Sequence, residues 1–238
     1  MNELTLQQKA VRQASYTKTF LWMFIGVIVT AIIAYISAYS GLYYRIYRLV
    51  GYTGYFIFSF ALMIAQIGVA VNFSRKIAET DESKLKMQFM AYSAILGVTL
   101  GSIFMIYSIT SLIVALGFTV ILFGSLVFAG RVLKLDLTKY SSYLFGALIA
   151  LIIISVVAMF INFPQEDLLI GGLGVLVFMG ITIYDVQKMN KVCNDLQETD
   201  SEESDVLMGR YAIYFAFSLY LDFINLFMYI LRILNRRR

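Results

Sequence analysis

The positions of the ionisable residues constrain this 238-residue chain more than any other feature. A charge at the centre of a bilayer is costly, so stretches without one mark where a chain can cross it. Charge-free runs cover residues 19–44 and 49–74, 26 residues each, then 87–130, 44 residues, and 140–165, again 26. A spanning helix needs about 20 residues. The 44-residue run therefore folds back on itself, with the turn expected around Ser108 to Ser111, which makes five helices. The later apolar pieces, 168–184, 211–221 and 223–231, are 17, 11 and 9 residues long, too short to span alone. Accepting Asp185 and Asp222 inside the bilayer turns them into two more spans, near 168–189 and 208–232, and the total becomes seven. Only 14% of the residues are charged, against about 25% in a soluble domain, and 60% are hydrophobic. The expected fold class is all-α, a polytopic membrane protein of seven transmembrane helices with helix 7 central. One transmembrane domain is expected over 18–235, with a polar cytoplasmic loop at 190–207, a cytoplasmic tail at 1–17 and a basic tail at 236–238.

The first apolar run exceeds the roughly 7–15 residues of a signal-peptide core, so it reads as a retained span. Basic residues set the orientation: Lys9, Arg12 and Lys18 precede helix 1, Arg75, Lys76, Lys84 and Lys86 follow helix 2, and Arg131, Lys134 and Lys139 follow helix 4. The connections after helices 3 and 5 carry no Lys or Arg. A cytoplasmic N-terminus in a cell membrane is the expectation. Arg45 and Arg48 in the first outside loop, and the Arg236, Arg237, Arg238 tail, run against it. Small residues recur at helix-packing spacing in Ser93, Gly97 and Gly101, and in Ala61, Ala65 and Gly68. The tyrosines at 39, 43, 44, 47, 52 and 55 fit an interfacial aromatic belt.

Histidine is absent and Cys193 is the lone cysteine, so zinc sites built on those residues, Ser-His triads and disulfides lack their parts. Chemistry must come from carboxylates, bases, hydroxyls and backbone. In helix 7, Tyr211, Tyr214, Ser218, Asp222, Asn225 and Tyr229 follow one another at steps of 3, 4, 4, 3 and 4, which stacks them on one face of an otherwise apolar helix. Such a stripe faces protein or water, not lipid. Asp185 sits in the cytoplasmic half of helix 6, with Thr182 one turn before it and Lys188 about one turn after. Two readings stand: an interfacial acid paired with Lys188, or a partner for Asp222 across antiparallel helices. Two carboxylates in a poorly solvated site cannot both ionise cheaply, so such a pair would share a proton and titrate in two macroscopic steps. A nearby arginine would compete for one of them, and Arg75 at the cytoplasmic end of helix 2 is the candidate.

The segment Ser218-Leu219-Tyr220-Leu221-Asp222-Phe223-Ile224-Asn225-Leu226-Phe227, with Ile230-Leu231-Arg232 after it, resembles the last-helix signature of the bacterial branch of the Bax inhibitor-1 family. Tyr184-Asp185-Val186-Gln187 is similar to that family's helix 6 motif. The likeness extends to Gly97-Val98-Thr99-Leu100 with Ser102-Ile103-Phe104, and to Asp136-Leu137-Thr138, covering about 18 to 235. The resemblance implies seven helices with the last surrounded by the other six, and a pH-sensitive calcium leak channel. The family's paired aspartates map by motif onto Asp185 and Asp222, and its helix 2 arginine maps by position onto Arg75, with Lys76 adjacent. Calcium takes 6–8 oxygen ligands and two carboxylates supply at most four, so Asp185 and Asp222 would form a weak, transient calcium site. No cofactor is implied, and calcium would be the transported ion.

Asp195, Glu198, Asp200, Glu202, Glu203 and Asp205 place six acids within eleven positions without a base. This is a solvated loop or an electrostatic funnel for cations. It is not an EF-hand, because Asp200 and Val206 stand where the loop glycine and bidentate glutamate belong. The alternative function is a regulatory membrane protein that binds other membrane proteins, in stress cytoprotection or protease modulation. An intramembrane aspartyl protease is a minor alternative, since the Gly-x-Gly-Asp motif is missing and Pro164 is the chain's one proline; no enzyme is expected. The net charge of +4 lies largely in flanks and tail and suits anionic lipid, not nucleic acid.

Overall fold

The computed structural model describes the backbone of residues 6–75, 77, 80–158, 160–161, 166–199 and 202–235, and the side chains within 13–73, 77, 80–158, 160–161, 166–197 and 204–235. Among the described residues seven α-helices follow in order: α1 Leu6–Tyr39, α2 Leu42–Arg75, α3 Glu82–Ile106, α4 Ile109–Val132, α5 Ser141–Ala158, α6 Glu166–Thr199 and α7 Glu202–Asn235. A 3-10 turn, Leu137–Tyr140, precedes α5. All seven helices are long and apolar enough to cross a membrane. The long charge-free run breaks at Tyr107 and Ser108, and α4 begins at Ile109. The polar stretch 190–207 differs from the loop expected of it. Both flanking helices run on into it, to Thr199 and from Glu202. Polar residues end a membrane span but not a helix, since Lys, Gln, Glu and Met are all good helix formers in water.

The chain divides into two compact units, Met1–Ser108 with Asp195–Tyr220, and Ile109–Asn194 with Leu221–Arg238. In the first, α1 and α2 both pack against α3. Here the small residues of α3 serve close approach: a methyl group at Gly97 would stand 2.9 Å from the Thr30 carbonyl oxygen, and one at Gly101 would stand 3.0 Å from that of Ala34. Without a hydrophobic drive between helices in lipid, such contact supplies the dispersion energy of packing. Ser93 on the same row is buried, and the Thr30 hydroxyl donates to its carbonyl, 3.1 Å away. Thr30 also meets the Tyr220 hydroxyl at 2.6 Å. Phe217 lies among the rings of Phe73, Phe89 and Tyr92, and Thr19 donates to the carbonyl of Ala212. The small residues Ala61, Ala65 and Gly68 of α2 are exposed instead. Only 6% of the most apolar window of α2 is buried, so that row faces the lipid side.

In the second unit the first half of α6 and the last half of α7 run antiparallel. Gly174 admits the Tyr229 ring, which would collide with an added methyl, and Gly171 admits Ile233. Arg232 closes the same end with a 2.6 Å ion pair to Asp167. Gly130 of α4 seats Val186, and Phe123 meets Phe223 edge to face at 5.5 Å. Within this unit no residue of α7 from Leu221 to Leu234 is exposed.

A candidate functional site on α6 and α7

α6 is unbroken through Thr182 and Asp185, so the step of three puts both side chains on one face. Thr182 is fully buried and Asp185 is 7% exposed. Asp222 of α7 is 3% exposed, and its carboxyl has the Thr182 hydroxyl and the Asp185 carboxylate for polar neighbours. The structure thus brings together the two acids that the sequence places in neighbouring spans. Thr182 also stands 2.7 Å from the Phe178 carbonyl oxygen. Its single hydroxyl proton can serve that carbonyl or Asp222 but not fully both. Asp222 Oδ2 is buried with no hydrogen-bond partner among the described residues, an expensive arrangement for a charged oxygen.

Tyr214, Ser218 and Asn225 are half-buried, and the Asn225 amide donates to the carbonyl of Leu221 in its own helix at 2.8 Å. Lys188 lies over the Tyr184 ring, 5.9 Å from its centroid. The side chains of Arg75 and Lys76 lie outside the described residues, as do those of Glu198, Asp200, Glu202 and Glu203 and the tail 236–238. Asp195 and Asp205 are exposed.

Sequence reasoning missed a clamp two residues beyond Asp185. The Gln187 amide donates to the Leu135 carbonyl at 2.8 Å and its oxygen accepts from the Leu137 amide at 2.7 Å, gripping the α4–α5 connection by its backbone. One turn on, Lys191 pairs with Asp136 at 2.9 Å and also donates to Thr138. Asp136 in turn accepts from the Thr138 hydroxyl at 2.6 Å and the Thr138 amide at 3.1 Å. The Thr138 hydroxyl and then the Lys191 ammonium bring the Asp136 carboxyl down to about 2. The Asp-x-Thr spacing is a turn signature in which the acid bonds its own backbone two residues on, so the ordered connection was legible even though its partners were not.

The model of the family described as inhibitor of apoptosis-promoting Bax1 matches residues 12–238. The inner membrane protein YbhL of Escherichia coli strain K12 is 32% identical over 233 residues, covering 98% of this chain and 96% of its own. A protein of Borreliella burgdorferi is 40% identical over 178 residues, 75% of each chain, and one of Deinococcus radiodurans is 30% identical over 234 residues, 97% of this chain and 95% of its own. With an all-helical, seven-span fold and a family match over nearly its whole length, the chain belongs to the Bax inhibitor-1 family of integral membrane proteins.

Proposed function

We propose that this protein is a pH-sensitive leak for calcium and related cations, gated by Asp185 and Asp222. One observation carries the reading: a mid-span acid, 3% exposed and with one oxygen lacking a hydrogen-bond partner among the described residues, has a second buried acid as its charged neighbour. Two carboxylates in so dry a site share one proton, because ionising both sets like charges against each other where little water screens them. The shared proton latches α6 to α7. A second proton, or loss of the shared one, changes the hold between the helices. Two carboxylates offer too few oxygens to retain calcium, which suits a transit site better than a store. Arg75 or Lys76 supplies the competing cation in this scheme. The N-terminus lies in the cytoplasm and the protein resides in the inner membrane, in keeping with the basic flanks of the first spans and the description of the Escherichia coli relative.

The test is calcium flux into proteoliposomes across a pH series, for wild type, Asp185→Asn and Asp222→Asn. The wild type conducts in a pH-dependent manner, and each Asn variant flattens or displaces that dependence. Identical pH profiles in all three would overturn the gate, and no wild-type flux would overturn the channel.

A further inference from the structure

The first nine residues of α2 form a separate amphipathic element. Gly41 and Gly51 both take left-handed φ, 71° and 69°, a conformation costly for other residues, and Gly51 interrupts the helix between them and the long apolar span. Leu42–Val50 is therefore a short helix set off at both ends. Tyr43 anchors it: the side chain is buried and donates its hydroxyl proton to the Val98 carbonyl of α3, where the absence of a side chain at Gly101 leaves it room. At 3.6 residues per turn, Arg45 and Arg48 stand roughly 160° and 140° round from that anchor, on the side turned away from the protein. Both are exposed, and among the described residues neither joins a salt bridge. The sequence offers no acid anywhere between Glu3 and Glu79. Arg48 lies over the ring of Tyr44, 5.8 Å from its centroid, and Tyr44, Tyr47 and Tyr52 are 63%, 51% and 75% exposed.

Arginine keeps its charge under all working conditions and presents a planar fork that matches phosphate oxygens two at a time. Tyrosines around it are the side chains that settle at headgroup depth, apolar body inward and hydroxyl outward. We infer that Leu42–Val50 is an anionic phospholipid site, with Arg45 and Arg48 binding the lipid phosphate and Tyr44, Tyr47 and Tyr52 seated among the headgroups. The occupant is a lipid and not a free phosphate ion, because the arginines rise from apolar surface, Leu49 at 83% and Val50 at 53% exposure, that acyl chains cover. The chemistry is the same in either leaflet. It also gives a reason for two positive charges on a connection where the flanking charges of the other spans leave none.

The test is native mass spectrometry of the full-length protein in detergent, titrated with phosphatidylglycerol or phosphatidylcholine of matched chains, with inorganic phosphate in the buffer as a competitor. Wild type retains phosphatidylglycerol in preference. An attraction of about 1 kcal/mol per basic residue at an anionic surface corresponds to about 5-fold in affinity, so each of Arg45→Gln and Arg48→Gln lowers the preference about 5-fold and the double variant about 25-fold. Lys84→Gln, in the first turn of α3, leaves it unchanged. An unaltered melting temperature of the double variant in phosphatidylcholine nanodiscs separates lost binding from lost folding. Equal retention of the two lipids by wild type, displacement of the lipid by millimolar phosphate, or a preference that survives in the folded double variant would each overturn the assignment.

Discussion

Glycines inside apolar helices do opposite things in this protein. Gly174 is the floor on which Tyr229 rests, its missing side chain replaced by the ring, whereas Gly146 has nothing within 4 Å of where a methyl would stand. Gly174→Ala pushes the ring of Tyr229 out of place and costs about 1–3 kcal/mol, the usual penalty for overpacking a fitted contact. Gly146→Ala is neutral or slightly stabilising, by the helix propensity it gains. Thermal unfolding of the two variants in detergent distinguishes them, and equal loss in both would mean that the seat of Tyr229 is not tightly packed. Nothing in the local sequence separates these glycines. Each sits in an apolar run, and only the identity of the facing residue decides.

At the level of elements, the Asp136 to Thr138 turn is held to α6 by Lys191 and Gln187, which ties the α4–α5 connection to the helix that carries Asp185. The Asp136 carboxyl lies at about 2 in the folded protein against an ordinary 3.8, so the bonds it makes stabilise the fold fully above about pH 4. They weaken as pH falls through that window, when the acid becomes protonated in the folded state as well. The melting temperature of wild type exceeds that of Asp136→Asn by a constant margin above pH 4, and the margin closes towards pH 2. A margin that instead opened on acidification would contradict the assigned bonds.

Over the whole molecule, seven crossings put the two ends of the chain on opposite sides of the membrane. With a cytoplasmic N-terminus, green fluorescent protein fused there fluoresces, and alkaline phosphatase fused after Asn235 is active in the periplasm. Phosphatase silence with fluorescence at both ends would show that α7 does not complete its crossing. Charge spacing alone determined the number of spans, the turn near Ser108 and the two mid-span acids, because a charge facing hydrocarbon is costly, so runs without one mark the spans and a charge within one marks a face turned to protein or water. Family resemblance then rested on strings that stand in the sequence, above all the one around Asp222. What no local rule decided was which face of each helix meets protein. Ser93, Gly97 and Gly101 pack while Ala61, Ala65 and Gly68 look outward, Tyr220 reaches Thr30 from off the helix 7 stripe, and Gln187 grips a distant backbone. In a bilayer an apolar face is equally content against lipid or against another helix, so hydropathy locates the helices, and only tertiary packing chooses their partners.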